Sequence, residues 1–330
     1  MTAPLRIVVV YPDLLGTYGD GGNGLVLARR AEWRGHAVTL LQAASDRPLP
    51  EADLYCLGGG EDGPQVRAAR ALIDDGMLVR RVAEGAAVLA VCAGFQIVGR
   101  TFPGAGGDPH QGVGLLHVET EKPTGPRAVG EVLVEVDADA LGALPMLTGF
   151  ENHGGVTSRA EGTAALGQVV VGVGNGVGDG SEGAVQGRIV GTYLHGPVLA
   201  RNPALADRLL SWALDDVSLA PLDDSESESL REERLLAVGG QFPPLEAEVV
   251  TDVAPTVGPV DRVVGAPAGG THGATPVRAT VGTATTLATV IRRSSAPLSR
   301  SSTTAEHRPS AAASSTRADV TTGPTRPSAR

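Results

Sequence analysis

The first hundred residues alternate between short apolar runs and amphipathic stretches. Residues 6–11, 37–41, 53–57 and 86–91 are mostly apolar and strand-length. Residues 23–35 and 64–84 carry apolar positions at helical spacing, with Leu25, Leu27, Ala28 and Ala31 on one face of the first. Strand–helix alternation with Gly-rich turns at strand ends predicts a mostly parallel α/β sheet flanked by helices. From about residue 112 the period changes. Segments 113–120 and 131–136 alternate apolar with polar and predict an antiparallel extension. Further strands are expected at 165–173, 183–186 and 188–194, and helices at 204–214 and 225–238.

The pattern ends near residue 239. Beyond it Ala, Thr, Ser, Pro, Val and Gly dominate without any period. The expected organisation is therefore a main domain over 1–215, a helical extension over 216–240 and a low-complexity disordered tail over 241–330. A second reading of the tail is a genomic accident such as a shifted reading frame.

Composition narrows the class. Hydrophobic residues make up 42% of the 330, enough for a core, but aromatics are only 3%, so the core must be aliphatic. A net charge of −10 argues against nucleic acid as a partner. Two cysteines give neither a disulfide framework nor a zinc spacing, and they suit a reducing cytosol. No apolar run reaches the roughly 18 residues of a membrane span, and the N-terminus lacks the pattern of a signal peptide. Lys122 is the only lysine among 27 lysines and arginines, a bias that suits GC-rich codons.

The candidate chemistry sits where apolar runs break. Ala87-Val-Leu-Ala-Val-Cys92-Ala-Gly-Phe-Gln96 reads as a buried strand turning sharply into a helix with Cys92 on the turn, the thiol counterpart of a serine elbow. Helix N–H groups beside it would lower the thiol pKa. A thiolate nucleophile needs a base. His195, in Ile189-Val-Gly-Thr-Tyr-Leu-His195-Gly-Pro197, again ends an apolar strand and is favoured over His36, His110, His117, His153, His272 and His307. For His153, in Gly149-Phe-Glu-Asn-His-Gly-Gly155, a substrate-loop role is expected. Cys56 lies inside a core strand and reads as a buried hydrophobe. Gly58-Gly59-Gly60, together with the N–H of Ala93, offers an oxyanion hole. Asp20 and Asn23 follow the first strand in a loop without a phosphate-binding pattern, where capping and active-site roles are equally open. Arg127 has the chemistry to clamp a carboxylate.

Taken together, Gly58-Gly59-Gly60, Cys92-Ala-Gly-Phe-Gln96 and Tyr193-Leu-His195-Gly-Pro197 resemble a class I glutamine amidotransferase domain over about residues 5–215. That class usually carries Glu two residues after the histidine, where this chain has Pro197. The departure resembles the cobyric-acid-synthase-like branch. Within it, Tyr18-Gly-Asp20-Gly-Gly-Asn23, Gly149–Gly155 and the lack of a fused synthetase are most similar to the GatD-type glutaminase subunits of lipid II isoglutaminyl synthase. The resemblance implies that Cys92 attacks the side-chain amide of L-glutamine, that backbone N–H groups near Gly59 and Ala93 hold the oxyanion, and that His195 moves the proton. It further implies that Arg127 and Gln96 bind substrate. The orienter of His195 is open between Asp20 and Glu151.

The implied partner is a MurT-like ligase subunit. It would carry ATP and Mg and amidate the D-glutamate α-carboxylate of lipid II to D-isoglutamine, in peptidoglycan biosynthesis. No metal or cofactor is expected in this chain. The expected location is the cytoplasm, at the inner face of the membrane where the lipid-linked substrate draws it. The competing readings are a cobyrinate-type amidotransferase subunit, a DJ-1/PfpI-like cysteine hydrolase, and a non-enzymatic binding subunit with a decayed site.

Overall fold

Six strands form the sheet on which the predicted chemistry sits. In the computed structural model, which describes residues 3–238, these are β1 (Leu5–Val10), β2 (Val38–Ala43), β3 (Leu54–Leu57), β4 (Ala87–Val91), β13 (Ala184–Gln186) and β14 (Ile189–Thr192). Their spatial order is β13-β14-β4-β3-β1-β2, parallel except for the antiparallel edge pair β13–β14. Every residue of β3 and β4 is buried, which explains why both read as unbroken apolar runs: helices cover both faces of a parallel sheet.

Those helices are α1 (Gly22–Trp33), α2 (Asp62–Asp75), α3 (Met77–Ala83), α4 (Ala93–Val98), α6 (Val198–Arg201) and α7 (Pro203–Ala213), and α5 (Ala138–Leu141) is a single turn. The helix expected over 64–84 is two. Gly76 breaks it with φ 68°, a left-handed conformation that glycine adopts without strain. On the opposite side, the buried Arg30 of α1 makes paired hydrogen bonds to Asp207 of α7 and to Asp224. Asp224 immediately precedes α8 (Ser225–Ala237), the charged helix that the sequence predicts. One side chain of α8, Leu235, is buried.

The antiparallel part is two four-stranded sheets. One holds β5 (Thr101–Pro103), β6 (Pro109–Gln111), β7 (Val118–Glu121) and β10 (Val156–Arg159), in the order β10-β7-β5-β6. The other holds β8 (Ala128–Val136), β9 (Leu147–His153), β11 (Gly167–Val171) and β12 (Ser181–Glu182), in the order β12-β11-β8-β9. The strand expected over 113–120 is confined to β7, because residues 112–116 bond to the end of α4 and the turn after it. The segment 149–155, expected as a loop, is instead mostly strand β9. The region 241–330, expected to be disordered, lies outside the described residues. Among the described residues no helix is long and apolar enough to cross a membrane.

Register decides where the site falls. Val10 pairs with Leu57, Leu57 with Ala90, and Val91 with Thr192. The carboxyl ends of β1, β3, β4 and β14 therefore finish at nearly one level, and the residues that follow them converge on one edge. Parallel sheets place ligands at that edge.

Candidate active site

Cys92 follows directly on β4 and caps α4 with φ 52° and ψ −105°. That conformation is strained for a residue with a side chain, and such strain concentrates at functional sites. Its N–H donates to Thr192 O at 2.8 Å, so the elbow is fastened to the strand that carries the histidine.

His195 reaches the same edge three residues past β14. Its backbone N–H and carbonyl both bond Phe150 of β9, which locks the approach. The ring is 1% exposed. Nδ1–H donates to Asp20 Oδ2 at 2.9 Å. The other ring nitrogen, Nε2, is buried without a hydrogen-bond partner and is the one left for proton transfer. Burial alone would lower the pKa of the ring. The hydrogen bond to Asp20 and the interaction with the Cys92 sulfur, with their charges, outweigh it and raise the value from 6.5 to about 9. Tyr18 covers the imidazole, its ring centroid 4.7 Å away.

The structure separates the two candidate orienters. Asp20, 2% exposed, bonds His195. Glu151 does not reach it. The Glu151 oxygens instead accept the N–H groups of Val173 and Gly174 at 2.8 and 2.9 Å and lie 3.6 Å from His153 Nε2. Its carboxylate is thereby spent on the Gly-rich loop after β11. Asp20 is also not a helix cap: α1 begins without a side-chain cap, and Asn23 accepts from Leu199 N–H.

Gly59 departs from expectation too. Its N–H donates to Asp20 Oδ2 at 2.9 Å and is therefore not free for an oxyanion. What the position requires is space. A Cβ there would stand 2.8 Å from His195 Cε1. Gly60 and Ala93 do line the cleft in front of Cys92.

That cleft opens to solvent between the Tyr18 loop, the start of α2 and the end of β9. Gln96 lines it and belongs to a buried chain. Gln65 donates to Gln96 at 2.8 Å, Gln96 donates to Tyr193 Oη at 3.1 Å, and Thr157 bonds the same hydroxyl at 2.6 Å. Arg127 lines the cleft as well, held by the side chain and carbonyl of Asn152 at 3.1 and 3.0 Å, while Asn152 donates to Tyr18 Oη at 2.6 Å. His153, the last residue of β9, stacks on Tyr193 at 3.7 Å and borders the cleft. Cys56 is fully buried, and burial pushes its thiol up to about 12, so it is inert.

Sequence reasoning passed over three groups. Tyr18 stands beside Gly19 in a Gly-rich loop and takes φ 60°, a conformation that a bulky residue rarely adopts. Tyr193 sat unremarked within the His195 motif. Glu182 gave no signal. It is fully buried and accepts from Thr192 Oγ1 at 3.0 Å and Tyr193 N–H at 2.6 Å, which pins the turn between β14 and His195. Burial raises its pKa from 4.5 to about 7, with Glu151 adding to the rise and the two donors opposing it.

A buried imidazole between an acid and a thiol on a strained turn is equipped to generate a thiolate and to shuttle one proton, as acyl transfer from an amide requires. Comparison with known proteins agrees. The CobB/CobQ-like glutamine amidotransferase domain matches residues 6–203. The lipid II isoglutaminyl synthase (glutamine-hydrolyzing) subunit GatD of Streptococcus pneumoniae is 33% identical over 243 residues, covering 69% of this chain and 90% of that protein. Its Staphylococcus aureus counterpart is 34% identical over 214 residues, covering 64% and 85%. The chain thus belongs to the CobB/CobQ-like family of glutamine amidotransferase domains.

Proposed function

We propose that this chain is the glutamine-hydrolysing subunit of a lipid II isoglutaminyl synthase. The observation that carries the reading is the line Cys92–His195–Asp20 at the aligned strand ends, supported by the similarity to proteins of that name. L-Glutamine enters the cleft with its carboxamide at Cys92. The thiolate attacks the amide carbon, and the N–H groups of Ala93 and Gly60 take the oxyanion. His195, protonated and steadied by Asp20, gives its proton to the departing ammonia, leaving a glutamyl thioester. The neutral ring then takes a proton from water, which cleaves the thioester and releases glutamate. Arg127 holds the α-carboxylate, and Gln96 seats the substrate.

The ammonia passes to a MurT-like ligase subunit. There ATP and Mg activate the D-glutamate α-carboxylate of lipid II, and D-isoglutamine forms. The cytoplasm is the compartment where such a precursor is built. The test is reconstitution of this chain with the ligase subunit. Glutamine-dependent amidation of lipid II should require Cys92, and the Cys92→Ala complex should still use free ammonium. Amidation of cobyrinate in place of lipid II would favour the runner-up acceptor.

A further inference from the structure

Two cations and two anions share the mouth of the cleft: Arg127, Lys122, Glu61 and Asp62. They come from opposite walls. Asp62 opens α2 on the parallel-sheet side, and Lys122 immediately follows β7 on the antiparallel side. Lys122 Nζ donates to Asp62 Oδ2 at 2.9 Å, so one ion pair spans the mouth. Both side chains are substantially exposed, at 37% and 43%, and an exposed pair of this kind contributes little to stability. Opening it costs the fold almost nothing. Lys122 is also the single lysine of a chain whose other 26 lysine-or-arginine positions are all arginine. An ammonium is a compact charge on a flexible stem that can change partners, whereas a guanidinium favours a fixed fork. Arg127 shows the contrast, its Nε and Nη2 already committed to Asn152.

We propose that the Lys122–Asp62 pair is the recognition device for the amino-acid end of the substrate. It rests on the glutaminase reading above. On binding, Asp62 leaves Lys122 and takes the α-ammonium, while Lys122 joins Arg127 on the α-carboxylate. The substrate's two opposite charges replace the two charges of the pair, so no charge is left unpaired at the mouth. The site thereby selects a free α-amino acid carboxamide over amides that lack the ammonium.

The experiment compares L-glutamine with 4-carbamoylbutanoate, the same amide without the α-amino group, for the full chain and its Asp62→Asn, Glu61→Gln and Lys122→Met variants. Asp62→Asn should raise KM for glutamine about tenfold with kcat within about twofold, and selectivity over 4-carbamoylbutanoate should fall by the same factor. Lys122→Met should raise KM for both amides. Unchanged selectivity in Asp62→Asn, or its collapse in Glu61→Gln instead, overturns the proposal. A wild-type chain inert toward both amides with the ligase subunit present overturns the glutaminase reading itself, and this proposal with it. Alkylation of Cys92 supplies a readout independent of turnover. Asp62→Asn should slow labelling by 6-diazo-5-oxo-L-norleucine, which carries the amino-acid end, and leave labelling by iodoacetamide as it was. Equal slowing of both reagents marks a disturbed site and contradicts the assignment.

Discussion

His195 Nδ1 and Asp20 Oδ2 lie 2.9 Å apart although 175 positions separate the two residues in the chain. The bond is buried, and Asp20 secures it by also taking the Gly59 N–H. It gives His195 the carboxylate partner that Pro197 cannot supply. Its consequence is electrostatic: against the lowering effect of burial, it helps hold the imidazole protonated up to about pH 9.

Asp20→Asn tests that consequence. The variant keeps the shape and loses the charge, so burial acts with less opposition and the pKa of His195 falls. The alkaline limb of the pH–rate profile for glutamine hydrolysis should move from about pH 9 toward neutrality, with kcat reduced about tenfold to a hundredfold. Glu151→Gln should leave that limb in place. Stability follows the same sign. The histidine pKa is raised on folding, so its contribution is complete below pH 6.5 and is lost as pH rises through about 9. Denaturant titrations across that window should show a loss in the wild type that is much smaller in Asp20→Asn.

Glu182 predicts the opposite kind of pH dependence. A carboxyl raised from 4.5 to about 7 by folding costs the native state progressively as pH rises between those values. Glu182→Gln removes the titration and keeps the acceptor for Thr192 and Tyr193. It should be more stable relative to wild type at pH 8 than at pH 4.5, by on the order of 2–3 kcal/mol in the difference. Equal relative stability at both pH values would show that the carboxyl is not held neutral.

Arg127→Ala should raise KM for glutamine at least tenfold while leaving thermal unfolding nearly unchanged, because the guanidinium bonds only Asn152 at the cleft and supports no core contact. Unchanged KM and kcat would remove Arg127 from the substrate site.

Arg30→Met addresses the scaffold. Its partners Asp207 and Asp224 would lose a buried cation, and removing one member of such a network typically costs about 3–5 kcal/mol. Chemical denaturation reads the loss. A change below about 1 kcal/mol would mean that the cluster is solvated.

The parts legible in the sequence were those encoded locally. An apolar run broken by Cys92 and another ending near His195 announce strand ends, and Gly58–Gly60 marks a third. The sheet register then does what pattern alone predicts, bringing strand ends to one edge. What stayed hidden depends on contacts between distant segments. Asp20 and Glu151 are both acids in polar motifs, and only the fold turns one toward His195 and the other toward Val173 and Gly174. Gly59 looked available because its N–H acquires a partner only in three dimensions. Strands β5 and β6, three residues each, are too short to show a period. Gly76 marks the α2–α3 break, but the apolar spacing continues across it and reads as one helix.

The central claim is that one sulfur performs the chemistry. The decisive measurement is release of glutamate and ammonia from L-glutamine by the wild-type chain, Cys56→Ala and Cys92→Ala, each with the ligase subunit present. Equimolar release by the first two and none by Cys92→Ala is the predicted result. Hydrolysis that survives in Cys92→Ala, or disappears in Cys56→Ala with the fold intact, would contradict it.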